Sequence, residues 1–113
     1  MNYFSTENIN GLTIVRFSFR EISIDQREEL KKELDQLLHE GHSKFIFNMK
    51  QIGYFTSLMI TTTLFFAREI SKRDGEIKLC ELSDDAMDVV RLTRLDKVFE
   101  IYNNEERAIK SFV

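Results

Sequence analysis

The sequence predicts an α/β fold, a mixed and mostly parallel sheet of four to five strands covered by about four helices. Three observations carry that expectation. Apolar runs of β type alternate with segments of helical apolar spacing, in the order β-β-α-β-α-β-α-(β)-α. Strands separated by helices need crossover connections, which make neighbouring strands parallel. Each helical segment is apolar on one side only, so each has a sheet face to cover. With 113 residues, the chain suits one domain, residues 1–113, around one core.

The elements follow in order. Asn2 to Glu7 is a weakly patterned strand, and Asn8-Ile9-Asn10-Gly11 supplies turn chemistry. Leu12 to Phe19 brings Ile14, Val15, Phe17 and Phe19, a second strand. Asp25 with Glu28 three residues on resembles a capping box. Behind it Leu30, Leu34, Leu37 and Leu38 recur at helical spacing, and Gly41 is the stop, so a helix is expected over about 25–40. Lys44 to Met49 holds Phe45-Ile46-Phe47, an unbroken apolar run suited to a central strand buried on both faces. A loop over 51–55 leads to Thr56 and Ser57, both good N-cap residues, and to a second helix over about 58–73 that ends at Asp74-Gly75. Glu76 to Glu81 is a strand. Ser83 caps a third helix running to about Thr93, and Leu95 to Tyr102 is a short extended segment. Asn104 caps a last helix in which Ala108, Ile109 and Phe112 pack inward.

Composition narrows the function classes. Hydrophobic residues are 42% and charged residues 31%, the balance of a globular chain. Net charge is −3 and no Lys/Arg run marks a phosphate-binding surface, so nucleic acid is not an expected partner. Runs such as Leu64-Phe65-Phe66-Ala67 are too short for membrane insertion. Met1-Asn2-Tyr3-Phe4 lacks the layout of a signal peptide, which predicts a cytoplasmic protein. The single cysteine, Cys80, sits in an apolar strand and reads as a buried structural thiol.

Chemistry-bearing patterns are scarce. There is no nucleophile elbow, P-loop, dinucleotide fingerprint or zinc-protease motif, and four glycines leave little for a phosphate cradle. No catalytic residue, cofactor or metal is expected. His39 and His42 flank Gly41, where a helix C-terminus favours them without any metal. Glu28 and Lys32 read as an i,i+4 charge pair on a solvated face. The informative place is Thr56-Ser57, a hydroxyl pair at a helix N-terminus after a buried strand. Plain N-capping explains one hydroxyl. A phosphorylation switch is the functional alternative, since the helix dipole tolerates a phosphate there while a docking surface gains nearly two negative charges.

With the strand Phe45-Ile46-Phe47-Asn48-Met49, the segment Ile52 to Ile60, the ending Leu92 to Tyr102 and its element order, the chain resembles, over essentially its whole length, the STAS domain family of bacterial anti-sigma factor antagonists. Phe45-Ile46-Phe47-Asn48-Met49 is similar to the family's apolar strand, which usually ends in an Asp-Leu-like pair. Ile52 to Ile60 falls where the family has an apolar lead-in and then Asp-Ser-Ser-Gly-Leu. Leu92-Thr93-Arg94-Leu95-Asp96-Lys97-Val98-Phe99-Glu100-Ile101-Tyr102 is similar to the ending Leu-Thr-Gly-Leu-Asp-x-x-Phe-x-Ile-Tyr.

The resemblance implies a STAS-like sheet and a binding function rather than an enzyme. Such antagonists bind an anti-sigma factor, often a serine kinase of the ATP-binding type, and so release a sigma factor. The kinase inactivates them by phosphorylating a serine at the start of helix two. Here the ungapped placement puts Thr56 at the family's Asp, Ser57 at the first Ser, Leu58 at the usual phosphoacceptor and Met59 at the Gly. The site is therefore degenerate. Either Ser57, or else Thr56, accepts a phosphate, or the switch is lost. The expected partner-binding surface is Thr56, Ser57, Leu58, Met59, Thr61 and Thr62. The alternative is a STAS subunit of a lipid or anion transport system that contacts an ATPase. An exposed edge strand near the N-terminus would also allow a homodimer.

Overall fold

The computed structural model describes residues 2–112; Met1 and Val113, the outer bounds of the expected domain, lie outside the described residues. The elements are β1 (Phe4–Ile9), β2 (Leu12–Phe17), α1 (Ile24–His39), β3 (Lys44–Asn48), α2 (Ser57–Lys72), β4 (Glu76–Cys80), α3 (Asp84–Leu92), β5 (Glu100–Tyr102) and α4 (Glu105–Lys110), with a 3-10 turn at Leu95–Lys97. The five strands lie in the order β1-β2-β3-β4-β5. β1 and β2 are an antiparallel hairpin closed by Asn10-Gly11, both at positive φ as a two-residue primed turn requires. The other three pairings are parallel.

That order decides where the helices go. Crossovers between parallel strands are right-handed, and here every crossover steps in the same direction across the sheet, so α1, α2 and α3 fall on one face. Their buried residues, among them Leu30, Leu34, Met59, Phe66 and Val90, meet Val15, Phe17, Phe45, Phe47 and Leu79 in the main core. α4 follows the last strand and closes the opposite face, where Ala108 packs on Leu12, Ile14, Ile46 and Cys80. β3 is central and feeds both cores, Phe45 and Phe47 one way and Ile46 the other, as an unbroken apolar run predicts.

Local chemistry departs from the expected pattern at three places. The first helix starts earlier than the Asp25/Glu28 pattern predicts. Ser23 is its N-cap: Ser23 Oγ accepts from Gln26 N at 3.2 Å, and Gln26 Oε1 accepts from Ser23 N at 2.9 Å. A Ser-x-x-Gln box satisfies two orphan donors, whereas Asp25 sits inside the first turn and favours the dipole. Glu28 pairs with Arg27 and Lys31, one turn away, in place of Lys32. Leu95–Lys97, expected as extended, is helical.

Four residues stand out at the helix ends. Gly41, at φ +93°, closes α1 by sending its N–H to Leu38 and that of His42 to Leu37. α2 closes in the same way, but Asp74 takes the positive φ. Gly75 is needed for a different reason: a Cβ there would overlap the Ser43 carbonyl and the Ile70 side chain. Arg94 ends α3 at φ +62°, in the position where the resembled ending has glycine. No helix among the described residues is long and apolar enough to cross a membrane.

Candidate functional site

The loop from Met49 to Phe55 is held from below and exposed above. Met49, Ile52 and Phe55 are buried in the main core. Met49 N donates to Cys80 O at 2.9 Å, and Asn48 Oδ1 accepts from Lys50 N at 2.9 Å. This spacing leaves Tyr54 outward, 52% exposed, with the Arg20 guanidinium 5.9 Å from its ring centre. The chain then turns into α2 at a fixed point.

Thr56 is the N-cap of α2, and its Oγ1 accepts from Met59 N at 3.2 Å. Ser57 follows as the first helical residue; it is exposed, and among the described residues its hydroxyl makes no hydrogen bond. The two hydroxyls thus divide the roles the sequence left open: one holds the helix end and the other is available. α2 also has no acidic residue in its first turn, unlike α1, α3 and α4. The positive end of its dipole is therefore uncompensated.

The other residues expected on the surface separate by helical phase. Leu58 is half-buried and Thr61 exposed, on the same side as Ser57. Met59 is only 3% exposed and packs into the main core. Thr62 is buried at 1%; its Oγ1 donates to Leu58 O at 2.6 Å and accepts from Arg27 Nε at 2.7 Å. Met59 and Thr62 therefore shape the site from beneath and offer a partner no side chain. The physical reason is the 100° step of the helix: positions 59, 62, 63 and 66 share one inward stripe.

Two neighbours escaped the sequence reading. Arg27, on α1, reaches across to α2 through Thr62. Phe65, half-buried, carries Lys31 Nζ 4.3 Å above its ring centre and extends the exposed face of α2. Only the docking of α1 against α2 brings these together. Tyr54 did leave a signal, since Ile52-Gly53-Tyr54-Phe55 carries its buried residues at 52 and 55.

A polar cluster lies at the other side of the loop's root. Arg16 donates to both oxygens of Glu105 at 2.8 Å, and Asn48 Nδ2 donates to Glu105 and to Glu81, the latter at 2.9 Å. The Arg16 hydrogen bond holds the Glu105 carboxyl below the usual carboxylate range, against the opposing effect of burial and with help from Asn48. Cys80 lies beneath, and burial pushes its thiol up to about 12. A thiol so held stays protonated and inert near neutral pH. His39 pairs with Asp35 at 3.4 Å, and His42 Nδ1 lies 2.7 Å from Thr13 Oγ1, so the two imidazoles serve separate contacts.

Comparison with known proteins follows the same lines. A family model described as STAS domain matches residues 3–108. A protein of Bordetella bronchiseptica, BtrV, named as a candidate anti-sigma factor antagonist, is 25% identical over 85 residues, 75% of this chain and 73% of that one. The crystal structure of a candidate anti-sigma factor antagonist from Thermotoga maritima superposes with a TM-score of 0.85 at 21% identity, covering 96% of this chain and 92% of that one. The phosphorylated form of SpoIIAA, a Bacillus cell fate determinant, gives 0.72 at 20% identity, covering 97% and 99%. At these identities the two structures testify to the fold.

Proposed function

This chain belongs to the STAS domain family, and on that premise we propose that it is an anti-sigma factor antagonist, regulating sigma-factor-dependent transcription by binding an anti-sigma factor. The observation that carries the reading is the exposed, unbonded Ser57 hydroxyl beside half-buried Leu58 at the start of α2. The activity is binding rather than catalysis, and it takes place in the cytoplasm. The contact surface is the outward side of the α2 N-terminus, Thr56, Ser57, Leu58 and Thr61, with Tyr54 at its rim.

The partner is an anti-sigma factor that is itself a serine kinase, and Ser57 is the phosphoacceptor. Three features support that assignment. Thr56 is engaged as the cap. Leu58 has no hydroxyl. A phosphate on Ser57 would meet free N–H groups and an uncompensated helix dipole, so α2 accepts the modification while the docking surface gains nearly two negative charges that a complex with the unmodified surface does not have to accommodate.

Affinity capture of the tagged chain from its native cytosol, with mass spectrometry of bait and partner, tests both parts. An anti-sigma kinase with phosphate on Ser57 supports the full reading. An anti-sigma factor with unmodified bait keeps the antagonist and removes the switch. Capture of a transporter ATPase in its place overturns the proposal.

A further inference from the structure

The sheet has two edges, and they differ. β5 is three residues long, too short to template another chain. β1 is six residues long, and its central four, Ser5 to Asn8, are exposed. It contains no Pro and no Lys, and its pairing with β2 runs through six consecutive positions with no bulge. Of the devices that usually blunt an open edge, β1 therefore carries only one charged side chain, Glu7, whose carboxylate pairs with Arg16 on β2 at 2.8 Å.

The hairpin geometry identifies which backbone groups face outward. A two-residue turn makes Ile9 and Leu12 a hydrogen-bonded pair, and such pairs alternate along an antiparallel ladder. Glu7 with Ile14 and Ser5 with Arg16 continue the series, and the bond from Ser18 N to Tyr3 O at 2.9 Å keeps the phase. The odd residues of β1 thus bond to β2. Phe4, Thr6 and Asn8 point their N–H and C=O groups away from the sheet, three donors and three acceptors in a row.

We propose that this edge pairs antiparallel with the same edge of a second copy, about a two-fold axis at Thr6. The strand is self-complementary only in that register. Thr6 meets Thr6 and Phe4 meets Asn8, so all three outward residues bond to outward residues. Glu7 then lies opposite the partner's Ser5, and no like charges face each other. Shifting the axis to position 7 sets Glu7 against Glu7 and draws Asn10 of the turn into the pairing. Shifting it to position 5 leaves only Phe4 and Thr6 paired within the strand. A shift of the register by one residue opposes outward to inward groups. The two sheets join into one of ten strands, with both α2 N-termini left open. The inference stands on β1 alone and is independent of the proposed partner.

Sedimentation equilibrium of the full chain, across micromolar to millimolar concentration, should show a mass rising from 13.4 kDa toward twice that value. Thr6→Pro removes an N–H that the β1–β2 ladder does not use, which is where an edge strand accepts proline. That variant should keep the fold, by circular dichroism, and stay monomeric. A second measurement needs no variant: the amides of Phe4, Thr6 and Asn8 should exchange at least tenfold more slowly at high concentration than at low, while those of Ser5 and Glu7 change little. A monomer at every concentration, or a Thr6→Pro variant that is folded and still dimeric, overturns the proposal. So does exchange at Thr6 that is independent of concentration.

Discussion

Arg16 grips Glu105 with two hydrogen bonds of 2.8 Å, one from Nε and one from a terminal nitrogen, and so joins β2 to the first turn of α4 across 89 positions of sequence. α4 is only six residues long, too short to persist without tertiary support. The pair and the Ala108 contact together hold it on the sheet.

Stability should therefore depend on the charge of Glu105. The folded pKa of that carboxyl is lowered from its usual 4.5, first by the Arg16 hydrogen bond. Its contribution is complete above the usual value and is lost as pH falls through the folded one. Arg16 is more than a third exposed, so solvent screens the pair, and Glu105→Gln should cost about 1 kcal/mol at pH 7. Thermal melts between pH 7 and pH 3 should show the wild type and the variant converging at low pH. Parallel curves would mean that the charge contributes nothing.

Arg94→Gly should stabilise the protein. Arg94 holds φ +62°, a conformation that costs a side chain and costs glycine little. Part of that gain is offset by the greater freedom of glycine in the unfolded chain, which leaves about 0.5–1 kcal/mol. Chemical denaturation measures it; an unchanged midpoint would show that Arg94 gains elsewhere what its backbone loses.

The hydroxyl pair should divide by role. Thr56→Ala removes the cap from α2 and should cost about 1 kcal/mol. Ser57→Ala removes no contact in the described structure and should leave the denaturation midpoint in place. If Ser57 is the phosphoacceptor, purified anti-sigma kinase should label wild type and Thr56→Ala but not Ser57→Ala. Equal labelling of all three would place the modification elsewhere.

Leu58→Asp should separate binding from folding. A carboxylate in the first turn favours α2, so the melting temperature should hold or rise. The same charge beside Ser57 should weaken affinity for the anti-sigma factor by at least about tenfold, which corresponds to about 1.4 kcal/mol. Isothermal calorimetry reads the affinity, and an unchanged value would remove this surface from the interface.

Much of the architecture was written locally. Alternating strand and helix patterns, the cap residues Thr56, Ser83 and Asn104, and the stops at Gly41 and Asp74-Gly75 are carried by neighbouring residues, so they are legible along the chain. The family followed from the same stretch, because its ending from Leu92 to Tyr102 is continuous in sequence. The candidate site was legible as a segment but not as a surface: Thr56 to Thr62 reads as one docking patch until the helix turns Met59 and Thr62 into the core. Helical phase settles which residues of a segment face a partner, and that phase is set by what α2 packs against.

The sequence by itself determined the element order, the buried central strand, the amphipathic helices and the hydroxyl pair, since each rests on periodicity or capping over a few residues. Only the tertiary structure decided that Gly75 is required by the Ser43 carbonyl and that Arg27 supports the start of α2 through Thr62. It also decided that Arg16, Asn48 and Glu105 form one cluster and that the free edge of β1 presents Phe4, Thr6 and Asn8. These depend on groups brought together from distant parts of the chain, and such contacts arise only when the sheet orders its strands and the helices dock upon it.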